Sequence, residues 1–273
     1  MLERTRLASK LALEAGSLIR DAMGQRRNVE YKSAVDLVTD VDRAAQALIV
    51  DGIRAAFPRD TIIAEEADGR SAVQAEDTGK AVDGPCWYVD PLDGTTNFVH
   101  ALPHFAVSIA FFDAGVPQGA AVYDPCKDEL FRAERGGGAF LGDRRLAVSE
   151  VSSLDKALLV TGFPYDRRAH AGLYLEYFRE FLCAAQDVRR YGSASLDLCY
   201  VAAGRFDGFW EWKLQPWDTA AGWLVLEEAG GRVTDFDGAR YDAWLPRILA
   251  TNSGIHDEAL ALLAKIASST GLS

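Results

Sequence analysis

A chain of 273 residues suffices for one large domain or two small ones, and 49% hydrophobic with 25% charged residues describes a soluble globular protein with a substantial core. The net charge of −11 argues against a nucleic-acid-binding surface, which is basic, and reads as a generally acidic solubilising surface. No run approaches the ~20 apolar residues of a membrane span, and the charged N-terminal stretch lacks the apolar core of a signal peptide.

In chain order, Leu7, Leu11, Ala15, Leu18 and Ala22 recur at helical spacing and predict an amphipathic helix over 4–23 that Gly24 ends. Thr39, with Asp42 three residues on, marks a second helix N-terminus, and Val41, Ala45, Leu48, Ile49 and Ile53 supply its buried stripe. An acid in a first helical turn suits the helix dipole without any catalytic task. Residues 61–64 read as a short strand ending at Glu65 and Glu66. A lone Glu-Glu pair is ordinary solvated surface, but the apolar run directly before Glu65 makes it the better ligand candidate of the two. Residues 68–84 form a polar, Gly-containing surface loop. Trp87, Tyr88 and Val89 make a second strand that ends at Asp90. There Pro91 disfavours further pairing and Gly94 allows a sharp turn, so Asp90, the Leu92 carbonyl and Asp93 can face one point. Two carboxylates held there would oppose each other's ionisation, and a hard divalent cation such as Mg2+ removes that cost. The Thr95 hydroxyl and the free N–H groups of a helix starting near Thr95 would lie beside the metal, a place suited to phosphate.

Residues 105–112 read as a buried strand, and 117–146 as a meander of antiparallel strands in which Gly136–Gly138 is a hairpin turn. From Ser149 strands and helices alternate, with helices over 169–185, 193–203, 217–229 and 256–267 and strands over 157–163, 188–191, 206–212, 231–236 and 248–251. This divides the chain into an N-terminal α+β half, 1–148, and a C-terminal α/β half, 149–273, together one compact catalytic unit. Asp218 opens a helix, where it again suits the dipole, and Glu211 between two tryptophans reads as a strand residue facing solvent. His100 and His104 are separated by Pro103 and make a poor zinc pair, while His170 and His256 look exposed near helix starts. Cys86, Cys126, Cys183 and Cys199 show no ligand spacing and read as reduced core thiols of a cytoplasmic protein.

The block DPLDGTTNF from Asp90 to Phe98 resembles the D-P-[IL]-D-G-T-x-[NS]-[FY] signature of the inositol monophosphatase family. DLVTDVD at 36–42, EE at 65–66 and PWDTAAGWLVLEEAGG at 216–231 resemble its other blocks, in the family's order and at similar spacing. The resemblance implies the α+β class, a layered α-β-α-β-α sandwich of the inositol monophosphatase and fructose-1,6-bisphosphatase type. It also implies a Mg2+-dependent, lithium-sensitive phosphatase with two or three Mg2+ per active site. On that likeness Glu65, Asp90 and the Leu92 carbonyl hold one Mg2+, Asp90, Asp93 and Asp218 a second, and Glu65 is associated with a third. Thr95 activates water with Asp42 as its acceptor, and phosphate rests on the N–H groups of Gly94 and Thr95. Ala194 and Glu211, with Asp93 and Asp218, contact the substrate, a small phosphorylated polyol such as inositol monophosphate. Lys32 matches a family lysine, and Lys213, at a variable position, is expected to tune the preference for a second anionic group. A cytoplasmic homodimer without nucleic-acid or membrane partners is expected. Fructose-1,6-bisphosphatase, histidinol phosphatase and 3′-phosphoadenosine 5′-phosphate phosphatase are the alternative activities, and a regulatory binding role is the alternative of another class. The haloacid dehalogenase pattern D-x-D-G-T is not met, because Pro91 stands where its nucleophile would.

Overall fold

The computed structural model describes residues 1–24, 29–31, 37–66 and 82–270, so Lys32, Asp36 and most of the 68–84 loop lie outside the described residues. Helix α1 (Glu3–Ala22) buries Ala8, Leu11, Ala12, Ala15 and Ile19, while Leu7, Leu18 and Ala22 of the predicted stripe are half-buried beside them. Strands β1 (Val29–Tyr31) and β2 (Leu37–Thr39) pair antiparallel and lead into α2 (Asp40–Ala56). Thr39 caps α2: its side chain accepts from the Val41 and Asp42 N–H groups, and Asp42 Oδ2 accepts the Thr39 N–H at 2.9 Å. Such a cap stabilises a helix by about 1 kcal/mol.

Strand β3 (Thr61–Ala64) runs parallel to β4 (Pro85–Asp93), which is followed by the short helix α3 (Thr95–Val99). Strands β5 (Ala106–Asp113), β6 (Val116–Asp124), β7 (Glu129–Glu134), β8 (Gly138–Leu141) and β9 (Arg144–Arg145) complete a seven-stranded sheet in sequence order, antiparallel from β4 onward. Along β4, Trp87 and Val89 face one core while Cys86 and Tyr88 face another, and Val107, Ile109 and Phe111 against Ala106, Ala110 and Phe112 do the same on β5. Burial on both faces is why these strands are continuous apolar runs. Strand β4 does not stop at Asp90 as its sequence suggests. Pairing passes from Asp90↔Ser108 to Asp93↔Ala106, three steps against two, so β4 carries an extra residue there. Pro91, which has no N–H to give, sits in that bulge.

Then come β10 (Leu158–Thr161), α4 (Arg167–Ala184), β11 (Asp187–Arg189), α5 (Ala194–Ala202), β12 (Gly208–Trp212), α6 (Pro216–Glu228), β13 (Arg232–Thr234), β14 (Arg247–Thr251) and α7 (His256–Thr270). The second sheet has the order β11-β10-β12-β14-β13, parallel among its first three strands and antiparallel at β14. Helices α1 and α2 cover one face of the first sheet, and α5 and α6 lie between the sheets. Residues of α4 and α7, among them Tyr177, Phe181 and Leu263, close the outer face of the second sheet. The layers are α-β-α-β-α, as the resemblance implies. Helix α6 is apolar nearly all round because it is sandwiched. No helix among the described residues is long and apolar enough to cross a membrane.

Two surface expectations are corrected. His256 is fully buried, with Nδ1 2.9 Å from Thr251 Oγ1 and Nε2 3.0 Å from Thr234 Oγ1, and burial pulls its pKa down to about 4. Of the thiols, Cys86 and Cys199 are buried, Cys126 is half-buried and Cys183 is exposed rather than in the core.

Candidate active site

Because β3 and β4 are parallel and in register from Thr61↔Cys86 to Ala64↔Val89, both end at the same edge, and Glu65 arrives beside Asp90. The Glu65 N–H donates to the Val89 carbonyl at 3.1 Å. Glu66 is buried rather than solvated, and Gln46 holds its backbone at 2.8 and 2.7 Å. Past the bulge, the Leu92 N–H donates to Asp90 Oδ1 at 2.9 Å, and Thr95 Oγ1 donates to the Leu92 carbonyl at 3.0 Å or to Asp42 Oδ1 at 3.2 Å. Asp42 therefore does two jobs, capping α2 through Oδ2 and meeting Thr95 through Oδ1. Gly94 turns the chain with φ 93°, and a Cβ there would come within 3.2 Å of the His104 carbonyl and 3.3 Å of the Gly192 carbonyl.

The C-terminal half supplies the opposite wall. Asp93 Oδ2 accepts from Ser193 Oγ (2.7 Å), Ser195 N–H (2.8 Å) and Ser195 Oγ (2.5 Å), which fastens it to the start of α5 beside Ala194. Asp218 Oδ2 accepts the Gln215 N–H at 2.7 Å and so closes the first turn of α6. Glu65, Asp93, Gly94, Thr95, Ala194, Glu211 and Asp218 all line one cavity of about 440 Å³, with Asp90 buried next to it. Burial, then the charges of Glu65, Asp93 and Asp218, push the Asp90 carboxyl well above the usual carboxylate range. Burial and then Asp93 raise Asp218, the Gln215 N–H partly offsetting them. Burial also raises Asp93 against the lowering effect of Ser195 and Ser193. Asp42 is pushed up to about 6, mainly by burial, with the Thr39 hydroxyl opposing.

Among the described residues no three His, Cys, Asp or Glu side chains stand as a ready metal cage, and protein donors hold one oxygen each of Asp90, Asp93 and Asp218. The donor chemistry nevertheless fits a hard cation: Glu65, Asp93 and Asp218, all oxygen donors, lie close enough to Asp90 that each, with burial, opposes its charge.

Glu211 is not the solvent-facing strand residue that its tryptophan neighbours suggest. It is 7% exposed, and burial raises it to about 8, with Arg190 lowering and Asp93 raising it further. Its carboxylate occupies the space left by Gly162, where a Cβ would lie 2.2 and 2.3 Å from its two oxygens. Lys213, with φ 57°, forms an ion pair with Asp166, which also accepts the Tyr174 hydroxyl at 2.7 Å.

The sequence reading missed Ser193, Ser195, Gly162, Arg167 and Arg190. The two serines flank Ala194 at a predicted helix start, a signal that was available. Nothing local marks the other three, which reach the cavity through the pairing of distant strands.

The sequence description of the inositol monophosphatase family matches residues 1–269. The Nus factor SuhB of Escherichia coli (strain K12) is 45% identical over 257 residues, 93% of each chain. Among solved structures, the inositol monophosphatase of Anabaena (Nostoc) sp. PCC 7120 superposes with TM-score 0.84 at 41% identity, covering 96% of this chain and 95% of its own. The extragenic suppressor protein suhB of Bartonella henselae does so with TM-score 0.88 at 39% identity, covering 96% and 98%. With a match that takes in all four acidic blocks and relatives aligned almost end to end, the chain belongs to the inositol monophosphatase family.

Proposed function

We propose that the protein is a Mg2+-dependent phosphomonoester hydrolase acting on inositol monophosphate or a similar small polyol phosphate by direct attack of water, without a phosphoenzyme. The observation that carries this reading is the Thr95–Asp42 contact of 3.2 Å at the edge of a cavity walled by Glu65, Asp93 and Asp218. Glu65, Asp90 and the Leu92 carbonyl would hold one Mg2+, and Asp90, Asp93 and Asp218 another, with Glu65 also serving a third. Bound there, the cations would lower the pKa of water and neutralise charge on the phosphate and the departing alkoxide.

The chain's own groups account for the rest. The Thr95 hydroxyl has one hydrogen and two acceptors; with the Leu92 carbonyl taken up as a ligand, that hydrogen would go to Asp42 and the hydroxyl oxygen would accept from water. Asp42, pushed up to about 6 by burial in the metal-free protein, is the acceptor for that proton. The N–H groups of Gly94 and Thr95 hold phosphate, and Glu211 and the Ala194 backbone hold the polyol hydroxyls. The halves 1–148 and 149–273 act as one catalytic unit on this reading, because the Asp93–Ser195 bonds join them at the site. We also read the protein as a cytoplasmic homodimer.

A panel of phosphomonoesters assayed with Mg2+ and with EDTA tests the reading: Mg2+-dependent phosphate release from polyol phosphates is expected, and no release from any ester would refute it. A second reading, a regulatory binding role beside catalysis, is favoured by the E. coli relative described as a Nus factor. The acidic balance of the chain is too coarse an argument to set a nucleic-acid-associated role aside.

Gly162→Ala tests how Glu211 works. Thr161 Oγ1 donates to the Trp210 carbonyl at 2.6 Å and pins β10 to β12, so a methyl group at 162 must displace the Glu211 carboxylate rather than the strand. Losing a hydrogen bond of this kind is expected to raise KM for inositol 1-phosphate about tenfold or more. In a Glu211→Ala background the same substitution is expected to add little, since its effect runs through Glu211. Equal effects in both backgrounds would mean that Gly162 acts otherwise.

A further inference from the structure

Strands β11, β10 and β12 are adjacent and parallel, so the segments that leave their carboxyl ends gather at one edge, where open α/β sheets commonly bind ligands. Arg190 follows β11, Arg167 follows β10 at the start of α4, and Lys213 follows β12; all three line the cavity. Their states differ. Lys213 is closed on Asp166, so its charge is already matched. Among the described residues the Arg167 guanidinium makes only a 3.3 Å bond, from Nη1 to the Pro164 carbonyl. The Arg190 guanidinium makes no hydrogen bond or ion pair with any described residue and stands 5.9 Å from the Phe163 ring centroid. Its field reaches Glu211 and Asp197, but no carboxylate among the described residues touches it. By contrast the adjacent Arg189 is closed on Asp187 at 2.5 Å.

Two planar guanidinium groups with uncommitted donors thus share a cavity whose other wall is the phosphate end. A guanidinium fork matches carboxylate and phosphate oxygens two at a time, and an anion between two arginines also relieves their mutual repulsion. We propose that Arg167 and Arg190 form a second anion subsite, and that the preferred substrates are small polyol phosphates bearing a second anionic group, phosphate or carboxylate. This rests on the hydrolase reading above and moves the role foreseen for Lys213 to the two arginines.

The test compares kcat/KM for fructose 1,6-bisphosphate and 3-phosphoglycerate with that for inositol 1-phosphate and glycerol 1-phosphate, in Mg2+ at low salt. The wild type is expected to favour at least one of the first pair about tenfold or more, and which one identifies the second group. Arg167→Gln with Arg190→Gln is expected to collapse that ratio toward one, as is high salt, whereas Lys213→Ala keeps it. Both arginines are at least partly exposed, so the variants are expected to fold, and circular dichroism checks this. A wild-type ratio near one, a ratio untouched by the double variant, or equal losses on all four substrates would overturn the subsite while leaving the hydrolase reading in place. No turnover of any of the four would bring down both.

Discussion

Asp93→Asn is expected to lower kcat/KM for the best substrate by about 10³-fold or more, because a metal ligand contributes several kcal/mol of charge stabilisation in the transition state. The substitution isolates charge from shape. An asparagine oxygen still accepts from the Ser195 N–H, so the bond that joins the two halves is retained. The buried negative charge disappears, which relieves Asp90 and Asp218 of a neighbour that opposes their ionisation. The metal-free variant is therefore expected to melt no lower than the wild type while losing the rise in Tm that Mg2+ gives a protein that binds it when folded. Calorimetry with and without Mg2+, beside a phosphate-release assay, separates these effects. Undiminished activity would contradict the ligand assignment.

Asp42→Asn and Thr95→Val are each expected to cost about 10²- to 10⁴-fold in kcat, the usual range for a positioned proton acceptor. They act as one unit through a single contact, so the double variant is expected to lose little more than the worse single one. Full additivity would show that the two residues work separately. Asp42→Asn also weakens the α2 cap, a loss of about 1 kcal/mol that cannot account for a thousandfold change in rate. The pH profile gives the sign. An acceptor must be ionised, so activity is expected to fall as pH drops through the Asp42 pKa, about 6 in the metal-free protein and lower beside bound cations. In Asp42→Asn that limb is expected to vanish.

The layered fold was legible because β4 and β5 are buried on both faces and α1 and α2 on one, and each pattern leaves its own periodicity. Asp42 and Asp218 show why the site needed the family resemblance. As helix-start acids they had a sufficient local explanation, and the structure fulfils it, yet Asp218 also lines the cavity and Asp42 meets the cavity residue Thr95. Glu211 was misread because strand alternation cannot reveal that the neighbouring β10 is followed by a glycine, Gly162, which leaves room for a buried carboxylate. His256 was misread because its partners, Thr234 and Thr251, come from two other strands. Arg167 and Arg190 carry no local signal at all. Their convergence exists only in the strand order β11-β10-β12, a long-range property. The bulge after Asp90 was half legible: Pro91 announced an interruption, but not that pairing resumes at Asp93, which leaves an acid at each end of the bulge.

The central claim is that acids from the ends of β3 and β4 and from the first turn of α6 enclose cations, and a crystal grown with Mn2+ in place of Mg2+ tests it without reference to any substrate. Anomalous scattering is expected from at least two ions among Glu65, Asp90, Asp93 and Asp218, with the Leu92 carbonyl a ligand of one. A Mn2+-saturated crystal with no peak among these residues, or with Glu65 and Asp218 turned away from the ions, would contradict it.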